Sequence, residues 1–495
     1  MRVDLAGYNV DKSMLDAAVD AGVPRDRLTP EVLSAAYARI SRDPRPIGEL
    51  RQLALNEVEK ARSSNRKIIF EMGHHSVAEH AVFNFDVVGV SRLAIEWLER
   101  FRLCSYTEKS QRYITLDSDY VIPKELRDTP LETELVSLIN AQFTCYEMIN
   151  QTLRKRLAKS HPEMEKKKSG RMLLSGMAKE DARYITILAT TGQLGLTANA
   201  RNLEHIIRRL AAAPLAEVRE LGQHLYEVAS EVAPSILLFT EPSRYDSDTP
   251  GELEALAGEL QPKASDPGES NTAVRLLHCT PSGDRMIAAA LLHVVSSESF
   301  ERCRKTANEM SKEDLAKVFA AALRHMEFYD APTREFEHVA FTFEIILSSS
   351  AYAQLKRHRI TSQSVQGYDV NLGVTVPPAI LEAGLEDEFL KHTARAEELY
   401  HKICVDMPDV APYVLTNAHR RRVLVTINLR ELYHFARLRE DSHAQWDIRN
   451  IAADIRKEVS REMPMGSLLL CGKDRYPELY KEVFDKSVAV LPPAG

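Results

Sequence analysis

The chain repeats itself, and no other feature restricts its architecture as much. EHAVFNFD at 79–86 returns as EHVAFTFE at 337–344. Each copy is Glu-His followed by alternating apolar residues, the pattern of a half-buried strand. A Ser-containing stretch and an amphipathic helix follow both times, SRLAIEWLERFR at 91–102 and SAYAQLKRHR at 350–359. Later, TANARNLEHIIRRL at 197–210 returns as TINLRELYHFARLR at 426–439, each a helix beginning near an Asn. The offset is 258 at the first pair (337 − 79) and 229 at the second (428 − 199), so the first copy carries about 29 extra residues between Arg112 and Asn199. The basic, solvated stretch KSHPEMEKKKSGR at 159–171 is the candidate insertion. Residues 246–271 are rich in Pro, Gly, Ser and acid and read as a linker. AVRLLHCTP after them resembles RVDLAGYNV near the start. The repeat therefore divides the chain into a module at 1–245, a linker at 246–271 and a module at 272–495.

Composition narrows the function classes. A 495-residue chain with 44% hydrophobic and 27% charged residues is globular and too long for one core. A net charge of −7 argues against a protein that coats nucleic acid, while a local arginine cluster can still hold a small anion. Six cysteines without a CxxC pair suggest neither zinc nor a disulfide framework, so no metal is expected. The start lacks a signal-peptide pattern, and no run of about 18 apolar residues is present. A cytoplasmic protein with no membrane association is expected. No Gly-rich dinucleotide fingerprint or phosphate loop occurs, so side chains must hold any phosphate.

Three stretches could do so. Arg357, His358 and Arg359 end a helix, where guanidiniums can fork onto anionic oxygens; a solvated basic helix end would look the same. Glu108, Ser110 and Arg112 offer an acceptor, a hydroxyl and a guanidinium within one turn, which suits a sugar and a phosphate or, alternatively, a local capping network. Asn428, Arg430, His434 and Arg439 fall along one helix, with His443 just beyond.

Together these stretches resemble the flavin-dependent thymidylate synthases. The lead-in His74-His75-Ser76-Val77-Ala78-Glu79-His80, the stretch Ser105-Tyr106-Thr107-Glu108-Lys109-Ser110-Gln111-Arg112-Tyr113, the Arg357-His358-Arg359 tripeptide and the late segment 428–446 match that family's motifs. The resemblance implies an α+β fold of two tandem modules, each a mixed sheet with packed helices. It also implies methylation of dUMP to dTMP with methylenetetrahydrofolate, FAD and NADPH.

Each copy departs from the family pattern in a different place. The first has Phe101 between Arg100 and Arg102, Trp97 in place of a glutamine, and Leu210 in place of the uracil-activating arginine. The second keeps Gln354, Arg357, His358, Arg359 and Arg439 but has Val365, Gly367, Asp369 and Pro412 where the first has Glu108, Ser110, Arg112 and Arg183. In the family these two sets come from different subunits around one nucleotide. The resemblance thus implies one composite site per chain. Glu108, Ser110, Arg112, Arg183, Gln354 and Arg357 would bind substrate, and Arg439 would stabilise charge on the uracil. Ser76, Glu79, Asn199, Arg201, His205, Arg357, His358, Arg359, Asn428, Arg430, His434 and His443 would bind cofactor, although Arg334 in place of Ser76 speaks against a second flavin. A homodimer would reproduce the family's tetramer. Two other readings remain open at this level: a related flavoenzyme acting on another pyrimidine or carbon donor, and a catalytically silent nucleotide or flavin binder.

Overall fold

The computed structural model describes residues 1–15, 28–40, 42–112, 116, 119–260 and 273–486. Tyr113 and the part of the linker from 261 on lie outside these. The near part of the linker is helical, Thr249–Leu260, with no residue buried.

Each repeat builds a four-stranded sheet with flanking helices, the α+β architecture anticipated above. In the first repeat β1 (Arg2–Tyr8), β2 (Val82–Ser91), β3 (Ser105–Glu108) and β4 (Thr191–Asn199) are arranged β1-β2-β4-β3. In the second, β5 (Val274–Cys279), β6 (Ala340–Ser348), β7 (Ser362–Val365) and β8 (Arg420–Asn428) follow the same order, β5-β6-β8-β7. Every pairing is antiparallel, so the sheets are not mixed. The reason is in the connections. β2 and β3, joined by a crossover through the helix Arg92–Leu98, run parallel to each other but never pair, because β4 returns antiparallel between them after the helical excursion that follows β3.

The alternation read from the sequence is the burial pattern. Phe83 and Phe85 on β2 are buried and stacked at 6.2 Å, and Phe341 and Phe343 on β6 do the same at 6.2 Å. A fully buried Phe contributes on the order of 2–3 kcal/mol, so each pair anchors its sheet. The helix starts are matched as well. Ser91 Oγ accepts from Ala94 N at 2.9 Å to cap the helix Arg92–Leu98, and Ser348 Oγ accepts from Ala351 N at 3.0 Å to cap Ser349–Leu355.

The changing offset has two structural causes. In β2 the register shifts between Val88 and Val90, with Gly89 at φ 72°. This bulge adds one residue that β6 lacks, and the positive φ suits glycine. The offset is therefore 258 before it and 257 after it. The remaining extra residues are helical. The helix Pro130–Ser160 has 31 residues where its counterpart Glu386–Cys404 has 19, and Pro162–Lys166 and Lys168–Ala182 follow it. The candidate stretch 159–171 lies in this addition and is mostly exposed, apart from buried Gly170.

The compact units cut across the repeat. One comprises Met1–Asp266 together with Pro378–Thr416; the other comprises Pro267–Pro377 and Asn417–Gly495. Within the first unit the Glu386–Cys404 helix packs on Pro130–Ser160. Leu188 N donates to Leu415 O at 2.8 Å and Ala189 N to Tyr413 O at 3.0 Å. A buried polar knot secures the same region. The Glu217 carboxylate accepts from Ser91 N, Ser91 Oγ and Tyr413 Oη, each at 2.7 Å. Among the described residues no helix is long and apolar enough to cross a membrane, and none of the six cysteines is disulfide-bonded.

Candidate active site

In the first unit the structure gathers the substrate residues expected from the first repeat. Glu108 ends β3 with a buried carboxylate, paired with Arg92 Nη1 at 3.2 Å. Ser110 Oγ accepts from Arg112 N at 3.2 Å, and Arg112 Nε meets Glu180 Oε2 at 2.5 Å. Arg183, 7% exposed, starts a 3-10 turn and donates from Nε to the Glu180 carbonyl at 3.3 Å. Burial lowers its pKa, with a further lowering from the positive charges of Arg92 and Arg112. Carboxylates offset part of this repulsion, Glu108 and Glu96 on Arg92 and Glu180 on Arg112. Beside Glu108 lies a small cavity of about 20 Å³, lined in part by Arg92, Lys109, Gln111 and Thr191. That is room for one water, not for a base.

Arg92 and Glu180 were not singled out from the sequence. The available signal for Arg92 was a charge opening the otherwise apolar run LAI, where the second repeat has Ser349.

In the second unit His358 is the centre. It is 3% exposed, between Phe435 at 4.8 Å and His434 at 5.6 Å ring to ring. Its Nδ1 faces Glu431 Oε1 at 3.2 Å, and its Nε2 lies 2.9 Å from Arg439 Nε. Arginine can only donate, so Nε2 accepts and Nδ1 carries the proton. Burial, Arg439 and His434 drive the imidazole pKa well down, so His358 is neutral and Arg439 carries the local positive charge. Arg357 and Arg359, on either side of buried His358, are exposed, as is His434. Gln354, buried, donates to Gln445 Oε1 at 3.1 Å. His443 is exposed, with Nδ1 2.7 Å from Asp441 Oδ1.

The remaining expected cofactor residues recur in pairs. Asn199 and Asn428 cap their helices, accepting from Asn202 N at 3.0 Å and Glu431 N at 2.8 Å. Arg201 pairs with Glu79 at 2.5 Å, and Arg430 with Glu337, the counterpart of Glu79, at 3.3 Å. Ser76 is exposed; Arg334, in its place in the second repeat, pairs with Glu337 at 3.2 Å. His205 sits edge-on to Phe101 at 5.5 Å, as His434 does to His358.

The first repeat has closed what the second keeps. Leu210, at the position of Arg439, is 1% exposed. Its neighbours Arg208 and Arg209 both pair with Asp246, at 3.3 and 2.8 Å. Arg100 stacks on Trp97, 4.1 Å from the ring centroid. An open cleft of about 480 Å³ remains beside Arg201, His205, Phe239 and Leu103.

A family model described as thymidylate synthase complementing protein matches residues 26–235 and again 275–465. A UPF0159 protein of Chlamydia muridarum is 27% identical over 424 residues, covering 82% of this chain and 80% of its own length. A flavin-dependent thymidylate synthase of Clostridium tetani is 29% identical over 228 residues, 45% of this chain and 86% of its own. Among solved structures, the UMP/dUMP methylase PolB from Streptomyces cacaoi, bound with 5-Br dUMP, is similar at 18% identity and a TM-score of 0.31, covering 39% of this chain and 92% of that one.

Proposed function

The chain belongs to the thymidylate synthase complementing protein family, and from that premise we propose that it methylates dUMP to dTMP, with methylenetetrahydrofolate as carbon donor and with FAD and NADPH. One observation carries this reading: the family's two half-sets are sorted between the repeats without loss. Glu108, Ser110, Arg112 and Arg183 stand in the first repeat, where the second has Val365, Gly367, Asp369 and Pro412. Gln354, Arg357, His358, Arg359 and Arg439 stand in the second, where the first has Trp97, Arg100, Phe101, Arg102 and Leu210. Decay of an unused duplicate would strike both halves of both sets. Each chain thus keeps one complementary set and has abandoned the reciprocal one, and two chains pair as a homodimer with two working sites.

In this reading Arg112 and Arg183 hold the nucleotide phosphate, while Glu108 and Ser110 orient its sugar. Arg439 stabilises the negative charge that develops on the uracil as C5 gains a carbon. FAD, when bound, supplies the hydride that completes the methyl group. The donor set of the second unit suits such an anionic dinucleotide, because Arg357, Arg359 and His434 are exposed around a neutral His358. No cysteine nucleophile is required, and burial pushes the thiols of Cys145 and Cys471 up to about 12, which leaves both inert.

The test is the visible spectrum of the purified protein and the release of C5 hydrogen from dUMP. A yellow protein, bleached by NADPH and releasing that hydrogen with methylenetetrahydrofolate, is expected. A protein that stays colourless after FAD is added and the excess removed refutes the reading. Normal flavin reduction without C5 release from dUMP, but with release from UMP, moves the substrate to another pyrimidine nucleotide.

A further inference from the structure

His358 has a partner on each nitrogen, and only one of the two is a residue the family reading uses. Arg439 lies on Nε2 and Glu431 on Nδ1. Glu431 lies in the first turn of the 429–439 helix, with Arg430 and His434 the charged and titratable neighbours that act on it, and burial raises its pKa.

A bland account is available. Glu431 is the third residue of a helix, where a carboxylate suits the dipole, and Asn428 caps that helix through Glu431 N. The first repeat argues against capping as its whole role. There the matching helix is capped equally well by Asn199, with Asn202 in the place of Glu431.

The comparison extends to the whole chain of contacts. Glu431, His358 and Arg439 are replaced together, by Asn202, Phe101 and Leu210. The ring packing is kept regardless, His205 on Phe101 at 5.5 Å and His434 on His358 at 5.6 Å. A phenylalanine therefore satisfies the packing, and what the second repeat adds is the polar line from carboxylate to imidazole to guanidinium.

We propose that Glu431 is a positioning residue: by accepting Nδ1–H of His358 it fixes the tautomer whose Nε2 accepts from Arg439, and so aims the guanidinium. With the other tautomer, Nε2–H would face Arg439 Nε–H, donor against donor, and Arg439 would turn away. Donor atoms of Glu431, His358 and His434 also lie within 4.8 Å of one another, a spacing a cation could use. The fixed charge of Arg439 beside the imidazole opposes one there.

This inference rests on Arg439 being the group that acts on the pyrimidine, and two measurements keep the two ideas apart. In turnover, Glu431→Ala should lower kcat about tenfold, with KM for dUMP and FAD per chain within about twofold. Glu431→Gln, whose carbonyl oxygen still accepts Nδ1–H, should restore most of kcat. Wild-type kcat in the Ala variant, or a Gln variant as impaired as Ala, overturns the proposal. So does a loss in which KM, FAD content and melting temperature move together, as a helix cap alone would give. The second measurement needs no turnover. With 15N-labelled histidine, the His358 signal should report Nδ1–H in the wild type and lose it in Glu431→Ala. A proton on Nε2 in the wild type overturns the proposal even in an active enzyme. Nδ1–H in a protein that releases no C5 hydrogen from any pyrimidine nucleotide upholds the tautomer and defeats the reaction instead.

Discussion

At the end of the helix 200–211 the first repeat buries Leu210; at the end of 429–439 the second lays Arg439 on His358. At the other half-set the roles reverse. The first repeat holds Glu108, Arg112 and Arg183 in a paired cluster, where the second has Val365, Asp369 and Pro412. The scaffolds beneath are alike in strand order, caps, stacked phenylalanines and the Glu79–Arg201 and Glu337–Arg430 pairs. Shared positions mark what the fold needs, and the positions lost from one copy are those the proposed single site would use.

The sharpest way to break this contrast is at the matched pair 439 and 210. Arg439→Ala should lower kcat for C5 hydrogen release about 10²–10³-fold, the usual effect of removing a donor aimed at transition-state charge, while the melting temperature stays near the wild-type value. Leu210→Ala should do the opposite, costing about 2–5 kcal/mol of stability with the turnover of folded protein unchanged. Equal losses of turnover from both would end the asymmetry.

A tenfold effect is expected at 112 and 369. Arg112→Ala removes a charge-assisted contact and should raise the dUMP dissociation constant at least about tenfold, whereas Asp369→Ala should leave it within about twofold. Calorimetric titration decides. Co-expressing Arg112→Ala with Arg439→Ala extends the test, since regained activity means that the half-sets combine between chains. Wild-type affinity in Arg112→Ala would remove the first repeat from the site.

Cofactor retention should differ several-fold. Arg357→Ala or Arg359→Ala should lose FAD on gel filtration, and Arg100→Ala or Arg102→Ala should keep it. Loss from the second pair would show that the Arg100-Phe101-Arg102 stretch still touches flavin.

The smallest effect concerns stability and pH. Burial raises the Glu217 carboxyl pKa above its ordinary 4.5 despite three donors on it. The folded chain then holds a proton that the unfolded chain releases. This group's contribution is full below about pH 4.5 and is lost as pH rises through the raised value. The urea midpoint of Glu217→Gln should therefore fall less than that of wild type between pH 4.5 and 7. Parallel curves would show that Glu217 titrates as in the unfolded chain.

Much of this was legible because it is local. Strand alternation at 79–86 and 337–344 and the asparagine caps are read within a few residues, and both reappear in the fold. Strand direction was not, since pairing joins segments far apart, and the sheets proved antiparallel. The residues missed share that cause: Arg92, Glu180 and Glu431 gain meaning from Glu108, Arg112 and His358, which lie 16, 68 and 73 positions away. The single extra residue at Gly89 lies before Arg112, outside the interval to which the whole difference in offset was assigned, and one residue in about 29 leaves no separate trace in the two offsets.

The segment Pro378–Thr416 has a consequence in time. It belongs to the unit that begins at Met1, and its Tyr413 closes the knot on Glu217. A ribosome that has reached Asp266 still has 150 residues (416 − 266) to add before that unit has all its parts. At about 5–20 residues per second, the amino-terminal unit waits unfinished for roughly eight to thirty seconds while most of its successor is being made. The carboxylate, serine and helix surface meant for the segment stay open during that interval, and a message cut before Thr416 encodes neither unit whole.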